Sequence, residues 1–219
     1  DVAVWNWLLI VVGMGTAVMS AVFAVQKTDL KKLTAYSTVS HLGWIVATIG
    51  VGTPFAIAAA LVHTLAHALF KSSLFMLIGV IDHEAGSRDI RRLGPLWNKM
   101  PWTFGSVVIG AASMAAVPPL LGFVSKEGML TAFEDAPIGG TGQVILLIVA
   151  GIGAFFTFTY SAKIVFGAFF DGPRDMGHVH EAPVSLWLPA ALPGFMSLPL
   201  VFVLGLFDAP IDDAVAAVG

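Results

Sequence analysis

Residues 54–81 read PFAIAAALVHTLAHALFKSSLFMLIGVI, a run with no acidic residue and a single lysine. A helix needs about 20 mainly apolar residues to cross a bilayer, and this run exceeds that length. Pro54 stands where a proline is favourable, in the first turn. The run shows no regular apolar–polar alternation, so a barrel strand is excluded. A membrane-spanning helix follows, and it carries His63, His67 and Lys71 at i, i+4 and i+8, stacked on one face with Thr64 beside them.

The rest of the chain has the same character. Of 219 residues 57% are hydrophobic and only 11% charged, against roughly 25% charged in a soluble domain. A soluble globular protein is excluded. With 11 basic against 14 acidic residues, a net charge of −3 and no basic cluster, a nucleic-acid partner is excluded as well. There is no cysteine, hence no disulfide framework and no thiolate chemistry. The sequence predicts an all-α polytopic membrane protein in which residues 1–219 form one helical bundle. Six transmembrane helices are expected near 5–25, 33–51, 54–81, 103–132, 143–170 and 185–207, the fourth broken near 118–122. Six crossings place Lys27, Lys31, Lys32, Arg88, Arg91, Arg92, Lys99 and Arg174 on one side. The loops near Thr53 and Glu134-Asp135 and the tail from Asp208 to Asp213 contain no Lys or Arg. By the positive-inside rule the basic loops are cytoplasmic, and both ends of the chain lie outside.

The remaining cations, Lys71, Lys126 and Lys163, fall inside predicted spans, where an ionisable residue by default marks a pathway or a functional site. Lys163 is near the cytoplasmic end of its helix, and snorkelling of its long stem to the interface is the favoured reading. For the stripe of His63, His67 and Lys71 two readings compete. Each residue is hydrogen-bonded glue between helices, or the three pass protons. Histidine titrates near 6.5 and can accept and donate through its two nitrogens, and burial penalises the charged form of lysine. Three titratable groups at successive turns favour the relay, since Ser or Asn would serve packing at lower cost. Zinc shared by the two histidines lacks a third protein ligand nearby, so no metal is expected.

The fourth span contains Ala115-Ala116-Val117-Pro118-Pro119-Leu120-Leu121-Gly122-Phe123-Val124-Ser125-Lys126-Glu127. Pro118 and Pro119 remove two backbone donors, and Gly122 adds slack. From Thr103 to Val117 a helix extends only about 22 Å, short of the roughly 30 Å hydrocarbon core. The break therefore lies inside the membrane, where it is tolerated if protein or a water-filled cavity satisfies the backbone; transporters place ion sites beside such breaks. Lys126 follows it, with Glu127 the only acid predicted inside the membrane.

Three motifs carry a resemblance: Lys27-Thr28-Asp29-Leu30-Lys31-Lys32-Leu33-Thr34-Ala35-Tyr36-Ser37-Thr38-Val39-Ser40; His63-Thr64-Leu65-Ala66-His67-Ala68-Leu69-Phe70-Lys71; and Pro118-Pro119-Leu120-Leu121-Gly122-Phe123-Val124-Ser125-Lys126-Glu127. In this order the chain resembles the antiporter-like subunit family shared by respiratory complex I and the Mrp-type multisubunit sodium/proton antiporters. The segment Ile81-Asp82-His83-Glu84-Ala85-Gly86-Ser87-Arg88-Asp89-Ile90 is more similar to the A-type Mrp subunits. The resemblance implies a fourteen-helix core with two inverted five-helix repeats. This chain would be a C-terminal-half fragment of it, the second repeat plus one further helix. By position, His63, His67 and Lys71 would match the central relay and Lys126 the terminal lysine; Glu127, Thr64 and Lys163 stand as supporting candidates from their own places in the sequence, apart from the resemblance. The family's glutamate and lysine from the first repeat have no counterpart in this chain. Beyond about residue 170 the likeness is weak, and the loop of His178 and His180 reads as solvated surface.

The leading functional expectation is a proton-translocating subunit of a sodium/proton antiporter in the cell membrane, a transporter rather than an enzyme. Its partners would be other subunits of a membrane complex, the lipid bilayer, protons and Na+. No glycine-rich phosphate loop or haem-binding pair is present, so no cofactor is expected. Two alternatives remain: a proton-pumping subunit of a redox-driven complex of the complex I or membrane hydrogenase type, and a non-conducting structural subunit. The family usually carries Gly and Asn around the break, and Leu121 in place of a polar side chain favours the last.

Overall fold

The computed structural model describes residues 2–172 and 174–218. They form α1 (Val2–Gln26), α2 (Leu30–Val51), α3 (Pro54–Ala85), α4 (Pro101–Met114), α5 (Leu121–Glu134), α6 (Gly140–Phe169), α7 (Val184–Phe202), a 3₁₀ turn (Leu204–Phe207) and α8 (Asp208–Val218). The described residues contain no strand, only an isolated bridge between Asp29 and Asp89. The protein is an all-helical membrane protein. By length and composition α3, α6, α7 and α1 from Ala3 onward suffice to cross a bilayer. Helix α2 spans about 33 Å at 1.5 Å per residue, but its interior is interrupted by buried Thr34, Ser37, Ser40, His41 and Thr48. Helices α4 and α5 have 14 residues each, about 21 Å apiece.

Helix ends follow local chemistry. The Asp29 carboxylate accepts the Lys32 amide at 3.0 Å and caps α2. Thr53 caps α3 through the Ala56 amide at 3.2 Å, with Pro54 in the first turn. Gly52 and Gly86 end α2 and α3 in the left-handed conformation, at φ 77° and 68°. Helix α3 continues to Ala85 rather than stopping at Ile81, because no breaker precedes Gly86. The stretch from Asp208, read from sequence as a polar tail, is helix α8.

Helices α1 and α2 touch backbone to backbone. A Cβ at Gly13 would lie 2.5 Å from the Ala47 amide nitrogen, and one at Gly43 would lie 2.6 Å from that of Ala17. The Ser40 hydroxyl donates to the Ala17 carbonyl at 2.7 Å across this contact. Small residues and cross-helix hydrogen bonds are how helices associate without a hydrophobic driving force. At the basic end of the bundle, Arg88 pairs with Asp29 at 2.9 Å, and the Leu30 and Ile90 amides reach the Arg88 and Thr28 carbonyls. Burial pushes the Asp29 carboxyl up, but the Arg88 guanidinium and the Lys32 amide outweigh it and hold it below its ordinary value.

Two apolar clusters fill the bundle. One gathers Leu30, Leu33, Phe70, Leu74, Leu121, Tyr160 and Ile164; the other gathers Ile10, Met14, Trp44, Phe133, Leu146 and Ala150. Four helices contribute buried polar side chains to one connected layer: His41 from α2, His63 from α3, Lys126 from α5 and Thr157 from α6. This layer positions the candidate site.

The glycine contact yields a test. Gly43→Ala must push α1 and α2 apart and is expected to cost about 1–3 kcal/mol. Gly79 has open space around a built Cβ, so Gly79→Ala leaves stability unchanged or raised. Thermal dissociation of the assembled complex compares the two.

Candidate functional site

The structure divides the α3 stripe. His63 is buried, with Nδ1 2.9 Å from the Ser125 hydroxyl on α5 and Nε2 3.0 Å from His41 Nδ1 on α2. Lys71 is bound elsewhere on α2, donating to the Thr34 carbonyl at 3.2 Å and to the Ser37 hydroxyl. His67 stands between them in the sequence, its ring 5.6 Å from that of His41, and its Nε2 has no hydrogen-bond partner among the described residues. Thr64 is exposed, and its hydroxyl returns to the Ala60 carbonyl of its own helix at 2.8 Å. Spacing places the stripe on one face, but neighbouring helices give each member a different environment.

His41, Tyr160 and Thr157 complete the cluster, and sequence reasoning did not single them out. His41 Nε2 lies 3.1 Å from the Tyr160 hydroxyl, which is 3.3 Å from Thr157 Oγ1. Thr157 Oγ1 in turn accepts from Lys126 Nζ at 3.4 Å. A continuous set of polar contacts therefore runs from Ser125 through His63, His41, Tyr160 and Thr157 to Lys126, across four helices. A signal for His41 exists in the sequence. Thr34, Ser37, His41, Trp44 and Thr48 recur at three- and four-residue intervals, a stripe on one face of α2. A shorter sign marks α6, where Thr157, Tyr160 and Ser161 share one face at three- and four-residue spacing.

Lys126 is held by the broken helix. Helix α4 ends at Met114 and α5 begins at Leu121. Pro118 and Pro119 lie in the connecting segment, and Gly122 lies in the first turn of α5. Ala116 takes a left-handed φ of 62°, a position of backbone strain for a residue with a Cβ. The freed backbone is satisfied by protein. Val117 donates to the Ala112 carbonyl at 2.9 Å, Leu121 to the Ser197 hydroxyl of α7 at 3.1 Å, and Gly122 to the Ser113 hydroxyl at 3.3 Å. Ser113 and Ser197 are themselves bonded at 2.8 Å. A Cβ on Gly122 would sit 1.7 Å from the Ser113 carbonyl oxygen, so glycine is what permits α5 to start here. Past this anchor the Lys126 amine stands 4.2 Å above the Trp44 ring, a cation–π contact. Glu127 is exposed and shares with Lys126 a cleft of about 270 Å³ lined also by Ala115, Ala116, Phe123, Leu130 and Ala154.

Lys71 and Lys126 are 4% and 5% exposed, and among the described residues neither is paired with a carboxylate. Lys163 differs. Its amine donates to the Val25 carbonyl at 2.6 Å, satisfying a carbonyl left open in the last turn of α1. Among the described residues no group of three or more His, Cys, Asp or Glu is placed to hold a metal ion.

Residues 2–159 match the family described as "NADH:quinone oxidoreductase/Mrp antiporter, TM". The chain is 42% identical over 190 residues to a probable K(+)/H(+) antiporter protein of the A/B type from Rhizobium meliloti (strain 1021), covering 86% of this chain and 19% of that protein. It is 40% identical over 219 residues to the A-type subunit of an Na(+)/H(+) antiporter from Bacillus subtilis (strain 168), covering 91% of this chain and 27% of that protein. A chain of the solved Mrp complex from Dietzia sp. DQ12-45-1b is 50% identical with a TM-score of 0.85, covering 100% of this chain and 23% of that chain. The likeness thus continues past residue 170, where the sequence motifs run out. The chain spans about a quarter or less of the length of these relatives.

Ser197 ties the break to α7, and its removal has a local consequence. Ser197→Ala leaves the buried Leu121 amide without an acceptor, at an expected cost of about 1–3 kcal/mol. Hydrogen exchange at Leu121 and Gly122 in the assembled complex is expected to quicken while that of α1 is unchanged.

Proposed function

This chain belongs to the NADH:quinone oxidoreductase/Mrp antiporter transmembrane family, and on that premise we propose that it forms a proton-translocating part of a monovalent cation/proton antiporter in the cell membrane. His63, His67, Lys71 and Lys126 pass the protons. The observation that carries this reading is the pair of buried lysines with no carboxylate partner among the described residues, beside a hydrogen-bonded histidine pair. Helix glue would neutralise a buried cation or replace it with a neutral polar group, because an uncompensated charge in an apolar interior is costly. Groups that gain and lose a proton in turn are at home there. Glu127 faces the same cleft as Lys126 and supports exchange at that end.

The six crossings run through α1, α2, α3, the α4–α5 pair, α6 and α7. The loops of Lys27, Lys31, Lys32, Arg88, Arg91, Arg92, Lys99 and Arg174 are cytoplasmic, in keeping with the positive-inside rule. The coupling ion is Na+; the names of the Bacillus relative and of the Rhizobium relative, which specifies K+, bracket the choice. The chain's partners are the other subunits of a multisubunit assembly and the remainder of the antiporter-like core, which supplies the other half of the path. The family's description also takes in quinone oxidoreductases, so the redox-driven complex stands as the second reading.

Proton flux in vesicles containing the full assembled complex, with Na+ pulsed against an imposed pH gradient, tests the proposal. Lys126→Ala, compared with wild type at equal amounts of assembled complex, is expected to abolish Na+-driven flux. Wild-type flux in Lys126→Ala overturns the role of Lys126. Absence of Na+-driven flux in the wild type, with iron–sulfur or flavin subunits co-purifying, moves the assignment to the redox-driven reading.

A further inference from the structure

The hydrogen-bond donors between Ser125 and Lys126 have a direction, and one hydroxyl sets it. Thr157 donates its single hydroxyl hydrogen to the Gly153 carbonyl at 2.8 Å. It can only accept from its other two neighbours, Tyr160 at 3.3 Å and Lys126 at 3.4 Å. Tyr160 therefore spends its hydrogen on Thr157, and its oxygen accepts from His41 Nε2 at 3.1 Å. A neutral His41 protonated on Nε2 has a bare Nδ1, which accepts from His63 Nε2 at 3.0 Å. By the same step His63 Nδ1 is bare, and the Ser125 hydroxyl gives its single hydrogen to it at 2.9 Å rather than to the Gly122 carbonyl at 3.1 Å. One committed hydroxyl on α6 thus fixes the tautomers of two histidines on α2 and α3.

We propose that His41, Tyr160 and Thr157 are the connection that carries a proton from His63 to Lys126, with the Thr157 hydroxyl as its pivot. This rests on the relay reading above and names residues that reading does not contain. A proton arriving at His63 Nδ1 releases the Nε2 hydrogen to His41 Nδ1, and His41 releases its Nε2 hydrogen to the Tyr160 oxygen. Tyr160 passes its own hydrogen to Thr157. Thr157, turning its hydroxyl from the Gly153 carbonyl, gives its hydrogen to the lone pair of an uncharged Lys126. Each residue along the way gains one hydrogen and loses one, so the net change is delivery of the arriving proton to Lys126 as an ammonium, with both histidines left neutral in the opposite tautomer. An ammonium has three donors and no acceptor, so a protonated Lys126 closes the path behind it. No second proton follows until Lys126 discharges, and the Trp44 face that holds the cation keeps it at the end of the chain. Lys71, bonded to Thr34 and Ser37 on α2, lies off this branch.

The experiment measures Na+-driven proton flux in vesicles of the assembled complex at matched abundance, with Lys126→Ala alongside. Tyr160→Phe keeps the ring and removes the oxygen, and Thr157→Val keeps the shape and removes the hydroxyl. Each is expected to lower flux by about a hundredfold, the scale of losing a positioned proton-transfer group. Thr157→Ser restores the hydroxyl and is expected to restore flux, a rescue that a packing role for Thr157 does not produce. If Tyr160→Phe and Thr157→Val conduct as wild type while Lys126→Ala does not, this connection is overturned and the relay reading stands. If Lys126→Ala also conducts as wild type, both fall. Should Thr157→Val not assemble, Tyr160→Phe alone decides between the same outcomes.

Discussion

The structure depends on one constraint: a polar group removed from water must find its partner inside the protein. Helices α2, α3, α5 and α6 each bring a buried polar side chain to one connected layer. The titratable members of this layer all find their partners on other helices. His41 needs α3 and α6, His63 needs α2 and α5, and Lys126 needs α6 and the Trp44 ring of α2. These mutual requirements fix the rotation and depth of the helices more tightly than apolar packing does, since apolar contacts are non-directional.

The break between α4 and α5 obeys the same rule for the backbone. Interrupting a helix releases amides and carbonyls, and the Ser197 and Ser113 hydroxyls accept from the Leu121 and Gly122 amides. The interruption also lets α5 restart where Ser125 contacts His63 and Lys126 contacts Thr157. A continuous helix through this region would lose that offset. The left-handed Ala116 supplies the turn, and the close approach to Ser113 that only a glycine at 122 permits makes the restart possible.

Against this background the two buried lysines have unequal settings. Lys71 is held by a carbonyl and a hydroxyl of one neighbouring helix, whereas Lys126 closes a chain of alternating donors and acceptors and borders a cleft with Glu127. His67 stands one turn from each of His63 and Lys71 on α3, and its Nε2 has no hydrogen-bond partner among the described residues. The chain matches only part of each longer relative.

The sequence by itself determined the class of protein and most helix limits, because these follow from local chemistry. Long apolar runs, Pro54 in a first turn and the double proline are read within a few residues of where they act, whereas α3 runs past Ile81 to Ala85. It also exposed His63, His67, Lys71 and Lys126, since a titratable group in an apolar run is conspicuous whatever surrounds it. It did not reveal α8, whose three aspartates resemble a tail, nor the capping of α4 by Glu181, which reaches the Trp102 and Thr103 amides from a distant loop at 2.7 and 3.2 Å. Nor did it separate His63 from Lys71, which spacing places on one face. Only the tertiary structure decided that His63 turns to His41 and Ser125 while Lys71 turns to Thr34 and Ser37, and that Tyr160 and Thr157 join the first group to Lys126. The physical reason is that helical periodicity tells which residues share a face, whereas a hydrogen bond needs a partner within about 3 Å, and that partner stands on another helix.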